Sequence, residues 1–304
     1  MATISASSSR TGSAALATTR ARATGDRPEG RTKVALYVLA TVLSLVVFLV
    51  PLAWALLRSL QPGTTITAAP DAATFFDVTL DNFRRLADIA SIPRAIANSL
   101  VISVGTAVLT TLLATAAGYG FGRFRFRGSG TAFALILVTL MIPFQAILTP
   151  LFLEMNAMRL TDSRLGLVLF YSTVNLPFGV FVMRTAFASV PNELEDAANV
   201  DGAGTVRTLT SVLRPLVVPG MATTALYAFL ASWTEFLGAL TFLTRQELYT
   251  LPVALLNLQQ GAYGSIDYGL LAAGSVIAMV PCVVLFVALQ RYYVAGLSAG
   301  AVKG

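Results

Sequence analysis

Histidine is absent from the 304-residue chain, and cysteine occurs once, at Cys282 inside an apolar run. A Cys/His metal site therefore has no ligands, and no disulfide can close within the chain. Zinc, haem and cysteine-nucleophile chemistry lose the groups they depend on. Lysine is nearly missing as well. Lys33 and Lys303 are the only two, and no Gly-x-x-x-x-Gly-Lys-Ser/Thr loop is present to cradle phosphates. Charge of either sign is scarce: 12% of residues are Asp, Glu, Lys or Arg, where soluble domains carry about a quarter.

What fills the chain instead is apolar sequence, 56% of it, gathered in long blocks rather than at amphipathic spacing. That pattern predicts an all-α integral membrane protein. Six blocks are long enough to cross a core of about 30 Å as helices. They are Val34–Leu57, Ala95–Gly122, Thr131–Leu153, Leu165–Met183, Pro215–Thr244 and Tyr268–Gln290. Helices are required because an open strand would leave backbone groups unpaired in lipid. Pro51, Pro143, Pro177 and Pro281 fall inside these blocks and should kink them.

The formal charge of +6 could suggest nucleic acid, but the basic residues sit in the N-terminal segment or at the ends of apolar blocks. Two-thirds of the Lys and Arg lie on one side if the N-terminus is placed inside, with Arg123, Arg125 and Arg127 the sharpest cluster. This bias predicts both termini in the cytoplasm. Phe121, Phe124 and Phe126, interleaved with those arginines, then read as interfacial anchors. Residues 1–33 are Ser/Thr/Ala/Arg-rich without an apolar stretch; they read as a disordered basic cytoplasmic tail, with an organellar transit peptide as the alternative. The six-helix domain covers 34–294, and 295–304 form a cytoplasmic C-terminal tail. Leu80-Asp81-Asn82-Phe83 opens a short helix in the outer loop, where Gln61-Pro62-Gly63 and Ala69-Pro70-Asp71 mark turns.

Between the fourth and fifth blocks, residues 189–219 have a design of their own. Ser189 is a candidate N-cap and Pro191 suits a first turn, with Glu193, Glu195 and Asp196 near the positive end of the helix dipole. Leu194, Ala197 and Ala198 fall at i, i+3 and i+4, a small apolar face. Gly202, just after Asp201, permits the left-handed turn that ends the helix. A second helix is expected from Thr205 into Pro215. Anionic headgroups repel acids, so this helix is read as docking on a soluble partner.

The loop resembles the "EAA" loop of bacterial ABC-importer permeases. Asp196-Ala197-Ala198, Gly202 and Val212-Leu213-Arg214-Pro215 stand at the family's spacing, with Asp for Glu, Val for Ile and Arg for Leu. Other stretches resemble the carbohydrate, maltose-permease-like class: Asn98-Ser99-Leu100, Gly118-Tyr119-Gly120-Phe121-Gly122-Arg123-Phe124, Met141-Ile142-Pro143 and Leu176-Pro177-Phe178. So do Trp233-Thr234-Glu235-Phe236, Thr250-Leu251-Pro252-Val253 and the ending from Gln290 to Gly304; Thr234 stands where the family usually has Asn. The resemblance implies a non-catalytic subunit of a bacterial inner-membrane importer that moves a sugar inward by alternating access. It implies a second permease as heterodimer partner, two cytoplasmic ATPase copies that use ATP and Mg, and an extracytoplasmic solute-binding protein. Glu193, Glu195, Asp196, Ala197, Ala198, Asp201, Gly202 and Pro215 would then couple to the ATPase.

Glu235 is the one acid inside a block, where an unpaired charge costs several kcal/mol. With Asn98 and Asn175 it is a candidate for the translocation path, or it braces a moving interface; equally, the fifth span could end earlier and leave Glu235 near the outer surface. The two amides, like Gln145, could equally staple helices together. Alternatives are an ABC permease for an amino acid or peptide and an ion-coupled secondary transporter. The latter wants titratable groups near the midplane, and Glu235 is nearly all that is offered.

Overall fold

The structure is a computed structural model that describes residues 28–62, 77–89, 91–259 and 267–301. The N-terminal stretch 1–27, most of the long loop after the first helix and residues 302–304 lie outside the described residues. So do the Ala69-Pro70-Asp71 turn and the basic residues before Pro28. Two units divide the chain, Met1–Leu52 and Ala53–Gly304. The first holds most of α1 (Pro28–Leu60), whose side chains from Lys33 to Trp54 are all exposed. Apolar side chains exposed on that scale need lipid or a partner around them.

The second unit is built on three packed helices: α3 (Ser91–Arg123), α6 (Arg164–Ala188) and α9 (Arg214–Thr234). Their backbones approach closely because small residues line the crossings. A Cβ on Gly118 would stand 2.4 Å from the Met183 Cβ and 2.8 Å from the Arg184 backbone N, and one on Gly179 2.8 Å from the Ala114 Cβ. Small residues at such crossings let dispersion drive association where the hydrophobic effect cannot. Met183, Phe187, Leu213 and Val217 fill the core at one end; Tyr171, Phe170 and Phe242 fill it at the other.

Among the described residues, five helices are long and apolar enough to span: Lys33–Leu60, Ser91–Arg123, Arg164–Ala188, Thr205–Thr234 and Tyr268–Gln290. The sixth expected span, Thr131–Leu153, is not one helix. It breaks into α4 (Ser129–Val138), running on to Met141, and α5 (Phe144–Ala157), bent by 102° to each other. Pro143 causes the break. Both Ile142 (ψ 119°) and Pro143 (ψ 125°) are extended, as a residue before proline prefers. Pro51, Pro177 and Pro281 do lie within helices.

The fifth span also departs from expectation. It stops at Thr234 rather than Thr244, and a short α10 (Leu237–Phe242) follows Glu235. Near Pro215 it widens: residues 208–213 adopt the i→i+5 pattern, and the Arg214 N–H donates to the Leu209 carbonyl. Proline has no N–H to give and its ring crowds the preceding turn, so the helix opens rather than stops. The short helix α2 (Asp81–Asp88) appears where Leu80-Asp81-Asn82-Phe83 predicts it. Asn82 donates to the Ser59 and Gln61 carbonyls, and Arg85 pairs with Asp267 at 2.8 Å beside α12 (Tyr268–Ala301). A further short helix, α11 (Leu251–Gln259), lies within the sequence after the fifth span.

Candidate functional site

The loop after α6 forms the helix α7 (Glu193–Val200), followed by a tight turn and the short helix α8 (Thr205–Arg207). Ser189 does not cap α7. It closes α6, its hydroxyl donating to the Ala186 carbonyl. The N-cap position belongs to Asn192, whose carbonyl accepts from the Glu195 and Asp196 N–H groups. At the other end Gly202 takes φ +74°. The Ala203 N–H reaches the Ala198 carbonyl at 2.9 Å and the Gly202 N–H that of Asn199 at 3.0 Å. This pair of bonds is a Schellman motif, the geometry that glycine permits.

The single apolar face expected for α7 divides. Ala198 is buried, whereas Leu194 and Ala197 stay exposed, as do Val200 at 88% and Val206 at 75%. Glu193, Asp196, Asp201, Gly202 and Pro215 are exposed too. Outward aliphatic side chains beside outward acids, on a helix closed by a Schellman turn, suit a protein partner better than water.

Glu195 turns the other way. Its carboxylate meets the Arg123 guanidinium at 2.7 Å, and the Arg123 side chain is only 5% exposed. Nη1 of the same arginine donates to the Val190 carbonyl at 2.9 Å and to Asn192 Oδ1 at 2.7 Å. The arginine that sequence reasoning used as a topology marker is thus anchored in the loop. A basic residue at a helix end carries the same sequence signature in either role. Nearby, Arg184 lies over the Phe133 ring, 4.0 Å from its centroid, a cation–π contact.

The three polar residues proposed for the translocation path are all engaged by the protein itself. Asn98 is 1% exposed and donates to the carbonyls of Glu247 (2.8 Å) and Tyr249 (3.0 Å). Beside it the Ser99 hydroxyl accepts from the Leu251 N–H, which fixes the start of α11. Asn175 is buried and donates to the Tyr171 carbonyl. Glu235 collects the Tyr171 hydroxyl at 2.6 Å and the N–H groups of Gly238 and Ala239. Tyr171 therefore joins Asn175 and Glu235. Asn98 and Glu235 act as staples in this geometry, whereas Asn175 bonds within its own helix, and the signal for Glu235 was its position three residues before Gly238. We expect Glu235→Gln to lower the stability of the detergent-purified protein by about 1–3 kcal/mol, the usual loss when charge-assisted bonds are cut. Transport per folded molecule should be kept; a large loss of transport at unchanged thermal stability would place Glu235 in the path instead.

At the end of the bundle opposite the loop, Asp162 ties the α5–α6 connection to the segment after α10. It accepts from the Thr244 hydroxyl and from the N–H groups of Thr244 (2.6 Å) and Arg245 (3.0 Å), and its carbonyl accepts from Arg245 Nη2. Burial pushes its carboxyl up, but these bonds and the Arg245 charge outweigh burial and hold it below the ordinary value. Cys282 lines an apolar cleft of about 400 Å³ with Trp233, Leu251 and Met279. Among the described residues, no three His, Cys, Asp or Glu side chains converge as a metal would need.

Apolar helices long enough to span, joined by an outward-facing loop, define a multi-pass membrane protein. The matched family model confirms that class over residues 114–298. The chain belongs to the family of binding-protein-dependent transport system inner membrane components, which places it in the bacterial inner membrane. It is 34% identical over 260 residues to the arabinooligosaccharides transport system permease AraQ of Halalkalibacterium halodurans, covering 84% of this chain and 91% of that one. It is 32% identical over 259 residues to the trehalose transport system permease SugB of Mycobacterium tuberculosis, covering 84% and 93%. A crystal structure of a bacterial ABC transporter that imports the polysaccharide alginate has the same fold. The TM-score is 0.75 at 22% identity, with 88% of this chain and 98% of that one covered.

Proposed function

We propose that this chain is the permease subunit of an ATP-driven sugar importer and that α7 is the element through which a separate ATPase moves it. The observation that carries the coupling role is the loop itself: a helix closed by a Schellman turn and bonded to Arg123 at the end of α3, with Leu194, Val200 and Val206 facing out. Support for sugar as cargo comes from the relatives, whose names specify arabinooligosaccharides and trehalose. Both termini and the loop lie in the cytoplasm in this reading, in keeping with the excess of Lys and Arg on that side.

ATP and Mg belong to the partner subunits, two copies of a cytoplasmic ATPase. A second permease completes the path as a heterodimer, and an extracytoplasmic binding protein delivers the sugar. ATP-driven closure of the ATPases pushes α7, and the packed trio α3, α6 and α9 carries the push across the membrane as a change of access. The seams between these helices are close-packed, so they move as bodies rather than deform.

The test is energy dependence in membrane vesicles that hold the complete importer, using radiolabelled trehalose and an arabino-oligosaccharide as probes. Uptake should require ATP inside and loaded binding protein outside, and should survive a protonophore. Uptake that collapses with the ion gradient and ignores ATP would overturn the reading in favour of a secondary transporter.

A further inference from the structure

We infer that Arg123 is the positioning residue that makes the coupling loop move as one body with α3 and α6; the inference rests on the coupling role proposed above. The juxtaposition is specific. One guanidinium, 5% exposed, holds the carboxylate of Glu195 on α7, the side chain of Asn192 at the α7 N-cap and the Val190 carbonyl just beyond α6. It therefore fastens three pieces of chain to the end of α3. A surface arginine that merely marked topology would leave its donors to water and headgroups.

Glycine packing makes this fastening stiff. One residue before Arg123, a Cβ on Gly122 would meet the Phe187 Cβ at 2.9 Å, and four residues earlier Gly118 lies against Met183. The ends of α3 and α6 are thus already in backbone contact where the arginine acts. Tyr119 adds a ring contact to Phe187, with centroids 5.3 Å apart. Force on α7 arrives at Glu195 and Asn192, passes through the guanidinium, and enters two spans that cannot slide apart there.

The other exit from the loop is built differently. Beyond the Schellman turn at Gly202, residues 208–213 open into the wider i→i+5 turn before α9. Single wide turns of this kind are frequent at functional sites. Entry is pinned by an ion pair whose guanidinium is nearly covered; the exit beyond the turn has a backbone pattern that yields. Glu195, which the sequence offers as a docking acid, belongs to the pin, while Glu193 and Asp196 remain free to face a partner.

A double-mutant cycle on the complete reconstituted importer tests this. Sugar taken up per ATP hydrolysed is read for Arg123→Ala, Glu195→Ala, the double variant and the exchange Arg123→Glu/Glu195→Arg. Either single change should cut that ratio about tenfold, within the range of ordinary coupling energies, while ATP hydrolysis continues and the ATPase still co-purifies. The double variant should be no worse than the worse single one, because both remove the same link. Arg123→Lys, which keeps the charge but not the fork, should recover part of the ratio. Singles with a wild-type ratio, or losses that simply add, would overturn the inference. A wild-type complex that binds no ATPase would instead overturn the coupling role itself, a distinguishable failure. If Arg123→Ala is not recovered as an intact complex, Glu195→Gln, which keeps size and loses charge, supplies the same comparison.

Discussion

Gly118→Leu should prevent the permease from assembling, while Gly120→Ala, two residues along the same helix, should leave it intact or slightly more stable. The difference lies in which side of α3 each glycine faces. At Gly118 the first added carbon would stand 2.4 Å from the Met183 Cβ, 2.8 Å from the Arg184 backbone N and 2.8 Å from the Met183 carbonyl carbon. Two of these three are main-chain atoms, so no side-chain rotation makes room. The whole of α6 must move, and with it the cluster of Val180, Phe187, Leu213 and Val217. Overpacking of this kind costs about 1–3 kcal/mol for a methyl group and more for a larger side chain. Against a total stability of about 5–15 kcal/mol, leucine should exceed what the fold tolerates.

Gly120 has no atom within 4 Å of the same position. Alanine there should gain up to about 1 kcal/mol from helix propensity. The measurement is the yield of monodisperse protein from membranes and its thermal unfolding in detergent, with Gly118→Ala expected between the extremes. Equal yields for Gly118→Leu and Gly120→Ala would show that the α3–α6 crossing is not as tight as the structure places it.

Much of this architecture is written plainly in the sequence, because the signals are local. A charge-free apolar run must span, so α1, α3, α6 and α12 were legible from composition alone. The grammar of the loop was legible too: acids early, Gly202 at the end, and a proline at the start of the next span all fall where a helix, its left-handed cap and a new helix are seen. The break at Ile142–Pro143 was harder. A proline in an apolar run can sit inside one continuous helix, as Pro177 does, or mark a bend of 102°. The outcome depends on what the flanking residues pack against, here Phe144 against Phe170 with centroids 5.6 Å apart.

Polar groups inside the spans were the least legible. Asn98, Asn175 and Glu235 have the same appearance in sequence whether they face a sugar or a carbonyl. Asn98 and Glu235 meet partners far along the chain, Glu247 and Tyr249 for the first and Tyr171 for the second, whereas Asn175 turns back on its own helix. Arg123 illustrates the same limit in reverse, since positive-inside counting speaks only to its side of the membrane and is silent about Glu195. The spacing of Gly118 and Gly122 at i and i+4 was an available signal for a close helix crossing, and it is what separates them from Gly120.

Gly202→Val should abolish most sugar uptake while the protein still inserts, folds and holds its ATPase. Space is not the reason, because nothing lies within 4 Å of a Cβ there. The backbone is. At φ +74° an L-residue places its Cβ against the following carbonyl at a cost of about 1–2 kcal/mol, and a β-branched residue is worse off still. Relieving that strain means leaving the left-handed turn, which breaks the bonds from Ala203 to Ala198 and from Gly202 to Asn199. The last turn of α7 then frays, and Val200 beside it loses its fixed place on the exposed face. A frayed helix transmits less of a push, so uptake should fall about tenfold, within the usual span of coupling energies. ATP hydrolysis should persist, as it belongs to another subunit in this reading. Asparagine tolerates the left-handed region better than other residues with a side chain, so Gly202→Asn should keep much of the uptake. If valine and asparagine behave alike, in either direction, backbone conformation at Gly202 is not what coupling depends on, and the role assigned to the Schellman turn fails.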